Sequence, residues 1–425
     1  MIPPVKGMRD FYPQDCRQRE WLFNLFKECS LKAGFELYDA PLVEHEDLYT
    51  RKAGEEISEQ LYVFKDKSGR SLALRPEMTP SLARMVIQRQ KELPGVIKWF
   101  SIPQCFRYER MTRGRKREHY QWNLDYVGEQ SMVAEMEVIA TALHAIEKFG
   151  LSAKQVKVRI SNRKLFAELL SAIKIPFSLH QKVFLVIDKL GKIPDESLVD
   201  LMVQAGIQID SSQRVVDLVQ GANLQEISSM LENSTGLQEI NSLFQLLRSY
   251  GFGDYLEFDL SVVRGLAYYT GTVFEFFDAG RSLRAIAGGG RYDQLISTMS
   301  GKESEPVPAV GFGFGDVVIQ ELLADLGLTP ELEPELDYYL VPLEEEDIAL
   351  LVAILKPLRE LHKVQMHYPP QKFKKALQRA EKLGAKKLVM IQRDGEYRIC
   401  VKSRETFSEE FFSPEEFLSS LLENK

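Results

Sequence analysis

The chain has 425 residues, of which 44% are hydrophobic, 10% aromatic and 27% charged, and its net charge is −7. These proportions are ordinary for a folded globular protein and exclude a disordered chain. The length exceeds the ~250 residues at which a single core usually stops growing, so two or three domains are predicted. The negative charge argues against a protein that coats nucleic acid nonspecifically, but it leaves room for a local basic patch.

The sequence shows no sign of a membrane segment, a disulfide framework or a transition-metal site. Its first residues, MIPPVKGMRDFYPQD, contain no apolar signal region, and no uncharged apolar run is long enough to span a bilayer. The four cysteines form no C-x-x-C pair, and the six histidines form no H-E-x-x-H pair. We therefore predict a cytoplasmic protein with no membrane partner and no metal held by protein ligands.

The first part of the chain predicts an α+β fold. Residues 18–33 have apolar side chains at helical spacing, and Gly34 follows as a C-cap. FELYDAP is predicted as a short strand that ends at Pro41. Five further β-like segments lie between about 60 and 128: LYVFKD, SLALRPE, VIKWFSI, CFRYER and YQWNLDYVG. One helical stretch near 80–92 interrupts them and another follows them, which favours an antiparallel sheet with flanking helices.

The second part predicts an insertion and a separate domain. Residues 161–250 carry helical spacing with little strand signal, which predicts a helical insertion between 1–160 and 251–328. Two further β-like segments follow the insertion, YLEFDLSVV and TGTVFEFFD. After them come AGGGRYDQL and PAVGFGFGDVV. The Pro/Glu-rich segment 329–336 predicts a linker. Residues 337–425 then alternate strand and helix, as a small α/β domain does.

The most informative stretch is FRYERMTRGRKREHYQWNLDYVG, residues 106–128, with six Lys/Arg from Arg107 to Arg117. The ten or so residues between its two strands predict a long, arginine-rich hairpin loop. Along the second strand, side chains alternate between the two faces of the sheet. One face is predicted to be a polar pocket floor and the other core: Gln121, Asn123 and Asp125 against Trp122, Leu124 and Tyr126.

The arginine-rich loop predicts an anionic ligand, with ATP as the first candidate. Arginine presents a planar fork that suits phosphate, and several together offset the charge of a polyphosphate. The chain has no G-x-x-x-x-G-K-[ST] motif, and GFGFGDV lacks the G-x-G-x-x-G spacing, which excludes a P-loop and a Rossmann fingerprint. The alternative is that residues 110–117 form a solvated, disordered basic loop with no ligand.

Three other stretches support a ligand site. LRPEMTPSLAR places Glu77 and Thr79 after a strand, where a carboxylate can hold an ammonium group. VVRGLAYYTGTVFEFF places Arg264 beside Tyr268 and Tyr269. AGGGRYDQL has three successive glycines, which suggest backbone brought close to a ligand. Each also has a plainer interpretation: a surface acid, a pair of core tyrosines and an ordinary loop.

Together these motifs resemble the class II aminoacyl-tRNA synthetases, and the histidyl-tRNA synthetase family among them. KGMRDFYP resembles that family's N-terminal signature, and helix 18–33 with the strand to Pro41 resembles motif 1. FRYER, the basic loop and YQWNLDYVG resemble motif 2, and PAVGFGFG stands in the place of motif 3. VVRGLAYYTGTVFEF and AGGGRYDQL resemble the two histidine-specific motifs. Residues 337–425 are similar to the class II anticodon-binding domain.

The resemblance implies an enzyme that activates L-histidine with ATP and transfers it to the 3′ end of tRNA-His, working as a homodimer through motif 1. It implies that Arg107 holds the α-phosphate of ATP, that Arg115 reaches the outer phosphates and that Glu109 belongs to the ATP site. Arg264 would stabilise the α-phosphate during attack by the histidine carboxylate, which makes Arg264 and Arg107 the catalytic pair. Mg²⁺ is expected with the pyrophosphate.

The resemblance also implies a histidine site. Glu77, Thr79 and Gln121 would fix the ammonium and carboxylate ends of the amino acid. The imidazole would be surrounded by four residues: Asp125, Tyr268, Tyr269 and Tyr292. A carboxylate facing a ring nitrogen is sound chemistry, because an N–H donor left without an acceptor in a closed pocket costs ~1–3 kcal/mol.

Four positions of the chain need comparison with the family pattern. Motif 3 normally ends in Glu-Arg, with that arginine on the γ-phosphate, but Val317 and Val318 stand there. Either a nearby basic side chain, Arg113 or Arg115, substitutes for it or the chain is a variant branch. Ala267 stands where the family commonly has Asp, and the position of Asp125 carries either Glu or Asp in the family.

Two alternatives compete with an enzyme. A non-catalytic paralogue, such as the regulatory subunit of ATP phosphoribosyltransferase, shares the catalytic-like fold but generally lacks the C-terminal domain. The missing motif 3 arginine favours it, whereas Arg107, Glu77, Gln121 and Arg264 favour an enzyme. A plain RNA-binding or scaffold protein would use residues 110–117 and the lysine-rich helix near 372–382 to contact phosphates, but it leaves the pocket-like strand face unexplained.

Overall fold

A computed structural model of the chain describes residues 2–50, 59–93, 95–231, 233–263, 268–280, 282–301, 305–334 and 336–423. By its internal contacts the chain divides into two compact units. The first comprises Met1–Asp10 and Arg19–Thr329, and the second comprises Phe11–Gln18 and Pro330–Lys425.

The regular elements of the described residues follow in chain order. The helices are α1 Pro13–Lys32, α2 Asp47–Thr50, α3 Thr79–Arg89, α4 Val133–Lys148, α5 Arg163–Ala172, α6 Phe177–Ile187, α7 Asp195–Gln204, α8 Ile209–Gly221, α9 Leu224–Met230, α10 Thr235–Tyr250, α11 Asp293–Ser300, α12 Asp316–Asp325, α13 Asp347–Leu361, α14 Phe373–Lys382 and α15 Pro414–Glu423. The strands are β1 Glu36–Leu37, β2 Val43–His45, β3 Tyr62–Lys65, β4 Ser71–Leu74, β5 Ile97–Ser101, β6 Gln104–Phe106, β7 Glu118–Val127, β8 Val156–Asn162, β9 Leu256–Phe258, β10 Thr272–Asp278, β11 Ala287–Arg291, β12 Ala309–Gly315, β13 Leu336–Leu340, β14 Val364–Met366, β15 Ala385–Asp394, β16 Glu396–Ser403 and β17 Glu409–Phe412.

The first unit is built on a large, mainly antiparallel sheet. Within the described residues it has nine strands in the order β1-β5-β7-β12-β11-β10-β8-β9, with β6 paired to β7. Among the strand pairs that the structure describes in this sheet, only β1 with β5 and β8 with β9 are parallel. A smaller antiparallel sheet has the order β2-β4-β3. The predicted α+β class with an antiparallel sheet is confirmed.

Strand β7 carries the alternation that the sequence predicts. Trp122 and Leu124 are fully buried in the main core. The Trp122 ring stacks on Phe26 of α1 with centroids 4.5 Å apart, and its indole N–H donates to Ser30 Oγ at 3.0 Å. Because the indole N–H is satisfied, this large side chain is buried without a polar penalty. The opposite face of β7 is left to its polar side chains.

Glycines on β12 leave space for those polar side chains. Gly311 stands opposite Asp125, and a Cβ added to Gly311 would lie 2.0 Å from Asp125 Oδ1. A Cβ added to Gly313 would lie 2.1 Å from Gln121 Nε2. The side chains of β7 therefore lie across β12 where only glycine can stand, while Phe312, between the two glycines, turns into the core.

Several helices and strands begin or end at residues other than the predicted ones. Helix α1 begins at Pro13, before the predicted residue 18, and ends as predicted because Gly34 takes φ +78°. The strand predicted to reach Pro41 covers only Glu36–Leu37. Helix α12 is not among the predicted elements, because the only prediction for GFGFGDVV is its resemblance to motif 3. Its buried residues nevertheless recur at helical spacing.

Residues 163–250 contain six helices among the described residues, α5 to α10, which confirms the predicted helical character of this region. The predicted domain boundaries stay predictions. Within the described residues no single helix is long and apolar enough to cross a membrane, whereas α5 and α6 pass the same test of length and composition together as a pair bent by 119°.

The second unit contains the predicted α/β pattern. Its five-stranded sheet has the order β14-β13-β15-β16-β17 within the described residues, with β13 parallel to both neighbours and the other pairs antiparallel. Buried Leu340, Val389 and Phe417 belong to its core. Strand β17 and helix α15 complete the unit and were not predicted from the sequence.

We expect Gly289→Ala to destabilise the first unit. A Cβ there would lie 2.1 Å from Gly311 O and 2.7 Å from Phe274 Cζ, and overpacking inside a central strand costs about 1–3 kcal/mol. Gly221→Ala in α8 is the control, since an added Cβ meets nothing within 4 Å and alanine favours a helix. Urea unfolding followed by tryptophan fluorescence measures both variants, because all tryptophans lie in the first unit. Equal stability of the two variants would contradict this account.

Candidate active site

A cavity of ≈ 710 Å³ lies on the glycine-lined face of the main sheet. Its floor includes Gln121 of β7, Gly288 of β11 and Gly313 of β12. The arginine-rich loop and the turn after α6 supply other parts of the lining: Arg107, Glu109, Gly114, Arg115, Lys116, Asp188, Leu190, Gly191 and Lys192. The cavity therefore joins an open sheet floor to a wall of positive charge.

The arginine-rich loop is packed against its surroundings. Arg107 N donates to Arg117 O at 2.9 Å, which closes the base of the loop, and Arg107 Nε donates to Pro76 O at 2.9 Å. The Arg117 guanidinium lies over the Tyr108 ring, 4.0 Å from its centroid. Glu109 forms an ion pair with Arg115. These contacts hold Arg107 and Arg115 at the cavity wall.

Only one of the two suggested substitutes for the motif 3 arginine lines the cavity. Arg113 forms ion pairs with Glu321 at 3.1 Å and Asp325 at 2.5 Å, both on α12. Arg115 is part of the cavity lining together with Val318, which stands where the family has arginine. Arg115 is therefore the better placed of the two.

The N-terminal signature contacts the loop and the start of α12. Arg9 Nε donates to Glu118 Oε1 at 2.5 Å, and Arg9 Nη2 donates to Asp316 Oδ2 at 3.0 Å. Asp316 Oδ1 also accepts Tyr120 N at 2.9 Å. Burial raises the pKa of Asp316 to about 6, although the charge of Arg9 lowers it. This buried cluster joins residues 7–9, strand β7 and helix α12.

His119, which belongs to none of the predicted site residues, lines the cavity between the loop and Gln121. Burial, and after it the charge of Arg107, lowers the pKa of His119 to about 3, so the ring is neutral near pH 7. His119 and Gln121 share one face of β7 by period-2 alternation, and that signal would have found it. Arg159, Arg284 and Lys192 are further cavity residues, but they come from distant segments with no shared motif.

The residues predicted to surround an imidazole form a second, buried cluster on the same sheet face. Tyr292 Oη donates to Asp125 Oδ1 at 2.5 Å, and Tyr268 Oη donates to Glu77 Oε2 at 3.2 Å. The Tyr268 ring lies 5.0 Å from that of Tyr269 and 6.0 Å from that of Tyr292. Asp125 is 3% exposed, and burial raises its pKa to about 7 despite the hydrogen bond from Tyr292.

Of the remaining predicted site residues, Thr79 and Gln121 are among the described residues and Arg264 is not. Thr79 begins α3 and is half-buried, and Gln121 lines the cavity. Gln121 Oε1 is a buried acceptor with no hydrogen-bond partner among the described residues, which fits a ligand donor. Arg264 lies outside the described residues, as does Ala267. The described arrangement thus offers cationic donors for phosphate beside a buried carboxylate that can accept from a ring N–H.

Comparison with known proteins identifies the family. Residues 7–317 match the family model described as Histidyl-tRNA synthetase. The chain belongs to the histidyl-tRNA synthetase family. It is 43% identical over 392 residues to the histidine–tRNA ligase, chloroplastic/mitochondrial, of Arabidopsis thaliana, a match that covers 92% of this chain and 80% of that protein.

Solved structures of this family share the fold. A histidyl-tRNA synthetase from Nostoc sp. PCC 7120 matches with a TM-score of 0.79 at 22% identity, covering 100% of this chain and 99% of that one. A protein from Bacillus halodurans described as an ATP phosphoribosyltransferase regulatory subunit/histidyl-tRNA synthetase matches with a TM-score of 0.73 at 22% identity, covering 92% and 98%. The fold is therefore common to a histidyl-tRNA synthetase and to a protein described both as an ATP phosphoribosyltransferase regulatory subunit and as a histidyl-tRNA synthetase.

We expect Asp125→Asn to stabilise the ligand-free protein, and more so at pH 8 than at pH 5. The carboxyl pKa rises from 3.8 to about 7 on folding, so the unfolded chain loses its proton first and stability falls as pH rises between these values. Asparagine does not titrate and keeps an oxygen that can accept from Tyr292. Urea unfolding at both pH values measures the difference between variant and parent.

The exposed Asp200→Asn is the control for this pH dependence, because it changes the same functional group outside the site. Its stability difference from the parent is expected to be nearly equal at the two pH values. If the stability difference between Asp125→Asn and the parent were constant with pH, or larger at pH 5, the carboxyl would not be held with a raised pKa.

Proposed function

We propose that this chain is a histidine–tRNA ligase, which activates L-histidine with ATP to histidyl-adenylate and transfers the histidine to the 3′ end of tRNA-His. One observation carries the proposal: a cavity walled by arginines and a buried Asp125–Tyr292 pair share one sheet face. A polyphosphate and an imidazole are the ligands that suit these two environments. The family membership agrees with it.

Arg107 and Arg115 are the proposed ATP ligands. The bond from Arg107 Nε to Pro76 O orients the guanidinium, and we assign its remaining N–H groups to the α-phosphate. Arg115 would reach the outer phosphates. Mg²⁺ would enter as part of the ATP complex, and Glu109, whose Oε1 is buried without a hydrogen-bond partner among the described residues, fits a cation carried there. The cation would offset part of the negative charge on the phosphate oxygens.

The histidine ligands are proposed to act in two sets. Asp125 would accept from an imidazole N–H, and Tyr292 holds that carboxylate in position through its own O–H. Tyr268 and Tyr269 would enclose the ring. The ammonium and carboxylate ends would be held by Glu77, Thr79 and Gln121. Arg264 would stabilise the α-phosphate as the histidine carboxylate attacks it, so that charge developing on phosphorus-bound oxygens is compensated.

One observation favours the non-catalytic alternative, a regulatory subunit of ATP phosphoribosyltransferase. Val317 and Val318 line the cavity where the family has Glu-Arg, so one phosphate donor is missing from this wall. Arg115 lines the same cavity and is the proposed replacement. An assay of adenylate formation separates the two functions.

We also propose that residues 1–160 and 251–328 form the catalytic domain, residues 161–250 an insertion, and residues 337–425 an anticodon-binding domain joined by the linker 329–336. The cytoplasmic location predicted from the sequence stays a prediction.

Histidine-dependent exchange of labelled pyrophosphate into ATP tests the proposed function. With purified protein and Mg²⁺, exchange is expected with histidine and with none of the other amino acids in the panel. Arg264→Ala is expected to abolish exchange and leave the thermal unfolding midpoint unchanged, since the lost charge acts on the reacting phosphate. Exchange with no amino acid would favour the regulatory subunit, and undiminished exchange by the variant would remove Arg264 from its assigned role.

A homodimer through motif 1 is a further proposal. Strand β1 is an edge strand among the described residues and exposes Leu37, which is 58% accessible; an apolar side chain on such an edge favours association. Leu37→Arg is expected to shift the protein towards monomer in sedimentation velocity. Phe177→Arg, at an 84% exposed position of α6, is the matched control and should leave the distribution unchanged. A monomeric parent would refute the proposal.

A further inference from the structure

The tip of the arginine-rich loop is a closed turn between Thr112 and Arg115. Thr112 N donates to Arg115 O at 3.3 Å, and Arg115 N donates to Thr112 O at 3.0 Å. Arg113 and Gly114 stand between them, as the two central residues of a hairpin turn do. Gly114 takes φ +73°, a left-handed conformation that favours glycine. Because hydrogen bonds close this turn, a contact that fixes its central residues also fixes the point from which the Arg115 side chain extends.

One face of helix α12 contacts this turn. Val318, Glu321 and Asp325 stand three and four positions apart, which places them on one side of the helix. A Cβ added to Gly114 would lie 3.3 Å from Val318 Cγ2, so the turn rests against the valine. Arg113 Nε lies 3.1 Å from Glu321 Oε2, and Arg113 Nη2 lies 2.5 Å from Asp325 Oδ1. Turn and helix therefore meet through an apolar contact flanked by ion pairs.

The valine is the firm part of this contact. The Arg113 side chain is 54% exposed, and exposed ion pairs add little stability. Val318 is 7% exposed and belongs to the main core, so packing fixes its position. The base of the loop is anchored separately, since Arg117 N donates to Gly7 O at 3.1 Å. The position of the tip therefore depends on α12.

An arginine at position 318 would disturb this contact in two ways. Its side chain is longer than that of valine and would begin where Gly114 rests on the valine methyl group. It would also stand three positions before Glu321, close enough to take that carboxylate from Arg113, and its charge would repel the loop arginines. Valine is small and uncharged, and the turn can lie directly on the helix.

We propose that α12, through Val318, is a docking surface that positions the tip of the arginine-rich loop. The valine stands where motif 3 of the family has arginine, and the docked turn directs Arg115 to the cavity that both residues line. Val318 is then a positioning residue, which acts on the phosphates through Arg115. The inference rests on the proposed function, because it takes ATP as the ligand of Arg115.

Val318→Arg tests the inference, because two accounts of this position predict opposite results. If a phosphate donor were simply missing, the variant would bind ATP more tightly. If Val318 docks the loop, the KM for ATP in histidine-dependent pyrophosphate exchange should rise about ten-fold, while the KM for histidine changes less than about two-fold. In the ligand-free protein, amide hydrogen exchange of residues 107–117 should become about ten-fold faster, and that of strands β8 and β10 should be unchanged.

Ala324→Arg is the matched control, because it adds the same charge to α12 at an exposed position on another side of the helix from Val318. Both KM values and the exchange of the loop amides should stay within about two-fold of the parent. A merely structural defect gives a different pattern, since general loss of stability lowers kcat through the active fraction and speeds amide exchange in every strand.

A buried arginine can also prevent folding, and Gly114→Ala therefore approaches the same contact from the loop. Its Cβ would press on Val318 at 3.3 Å and lift the turn. Gly69→Ala is the matched control, because Gly69 has φ +80° and an added Cβ there meets nothing within 4 Å. We expect the KM for ATP and the exchange of the loop amides to rise in Gly114→Ala and not in Gly69→Ala.

Tighter ATP binding by Val318→Arg would overturn the inference. So would loop amides that exchange at the parental rate in Gly114→Ala, whether or not Val318→Arg folds. A parent protein that shows no histidine-dependent pyrophosphate exchange would instead refute the proposed function. The amide exchange of the loop is measured without substrate and tests the docking in either case, so the two failures are distinguishable.

Discussion

The polar side chains of β7 occupy the ligand face because β12 presents no side chains against them. An added Cβ on Gly311 or Gly313 would stand about one bond length or little more from Asp125 Oδ1 or Gln121 Nε2. Everything proposed for the site uses this open floor: the cavity that holds phosphate, the acceptor on Gln121 and the buried carboxylate of Asp125. The phenylalanines between the glycines enter the core, so the same short sequence supplies both packing and space.

A second constraint is electrostatic and concerns the arginine-rich loop. Several positive charges held side by side repel one another, and the protein compensates them with carboxylates that it places around the loop. Glu109, Glu321 and Asp325 pair with loop arginines, and the buried Glu118 and Asp316 share Arg9. The Glu118 and Asp316 carboxylates of the Arg9 pairs are buried, so removal of Arg9 would leave charge unpaired in the interior, which is strongly destabilising.

Local patterns in the sequence were enough to predict much of this architecture. The division of β7 into a core face and a polar face and the C-cap at Gly34 depend on neighbours in the chain, and both are observed. The family resemblance predicts that Asp125 and Tyr292 lie in one site. The hydrogen bond between them shows that they lie together. The roles of these residues stay predictions.

What could not be predicted depends on contacts between distant segments. Gly114 meets Val318 only through the packing of the loop on α12, which no local pattern specifies. Arg9 meets Asp316 across 307 positions of sequence. Helix α12 shows the opposite case, because its buried residues recur at helical spacing in the sequence itself.

The glycine floor also limits how this site can evolve. Every amino-acid replacement of a glycine adds at least one carbon atom, so no substitution at these positions is a small step. Changes at Gly289, Gly290, Gly311 or Gly313 would meet backbone or side-chain atoms within 3 Å. Adaptation of ligand preference is therefore open mainly to the surrounding wall, namely the loop 107–117 and the turn 188–192. A lineage that alters its substrate would keep the floor and vary these borders.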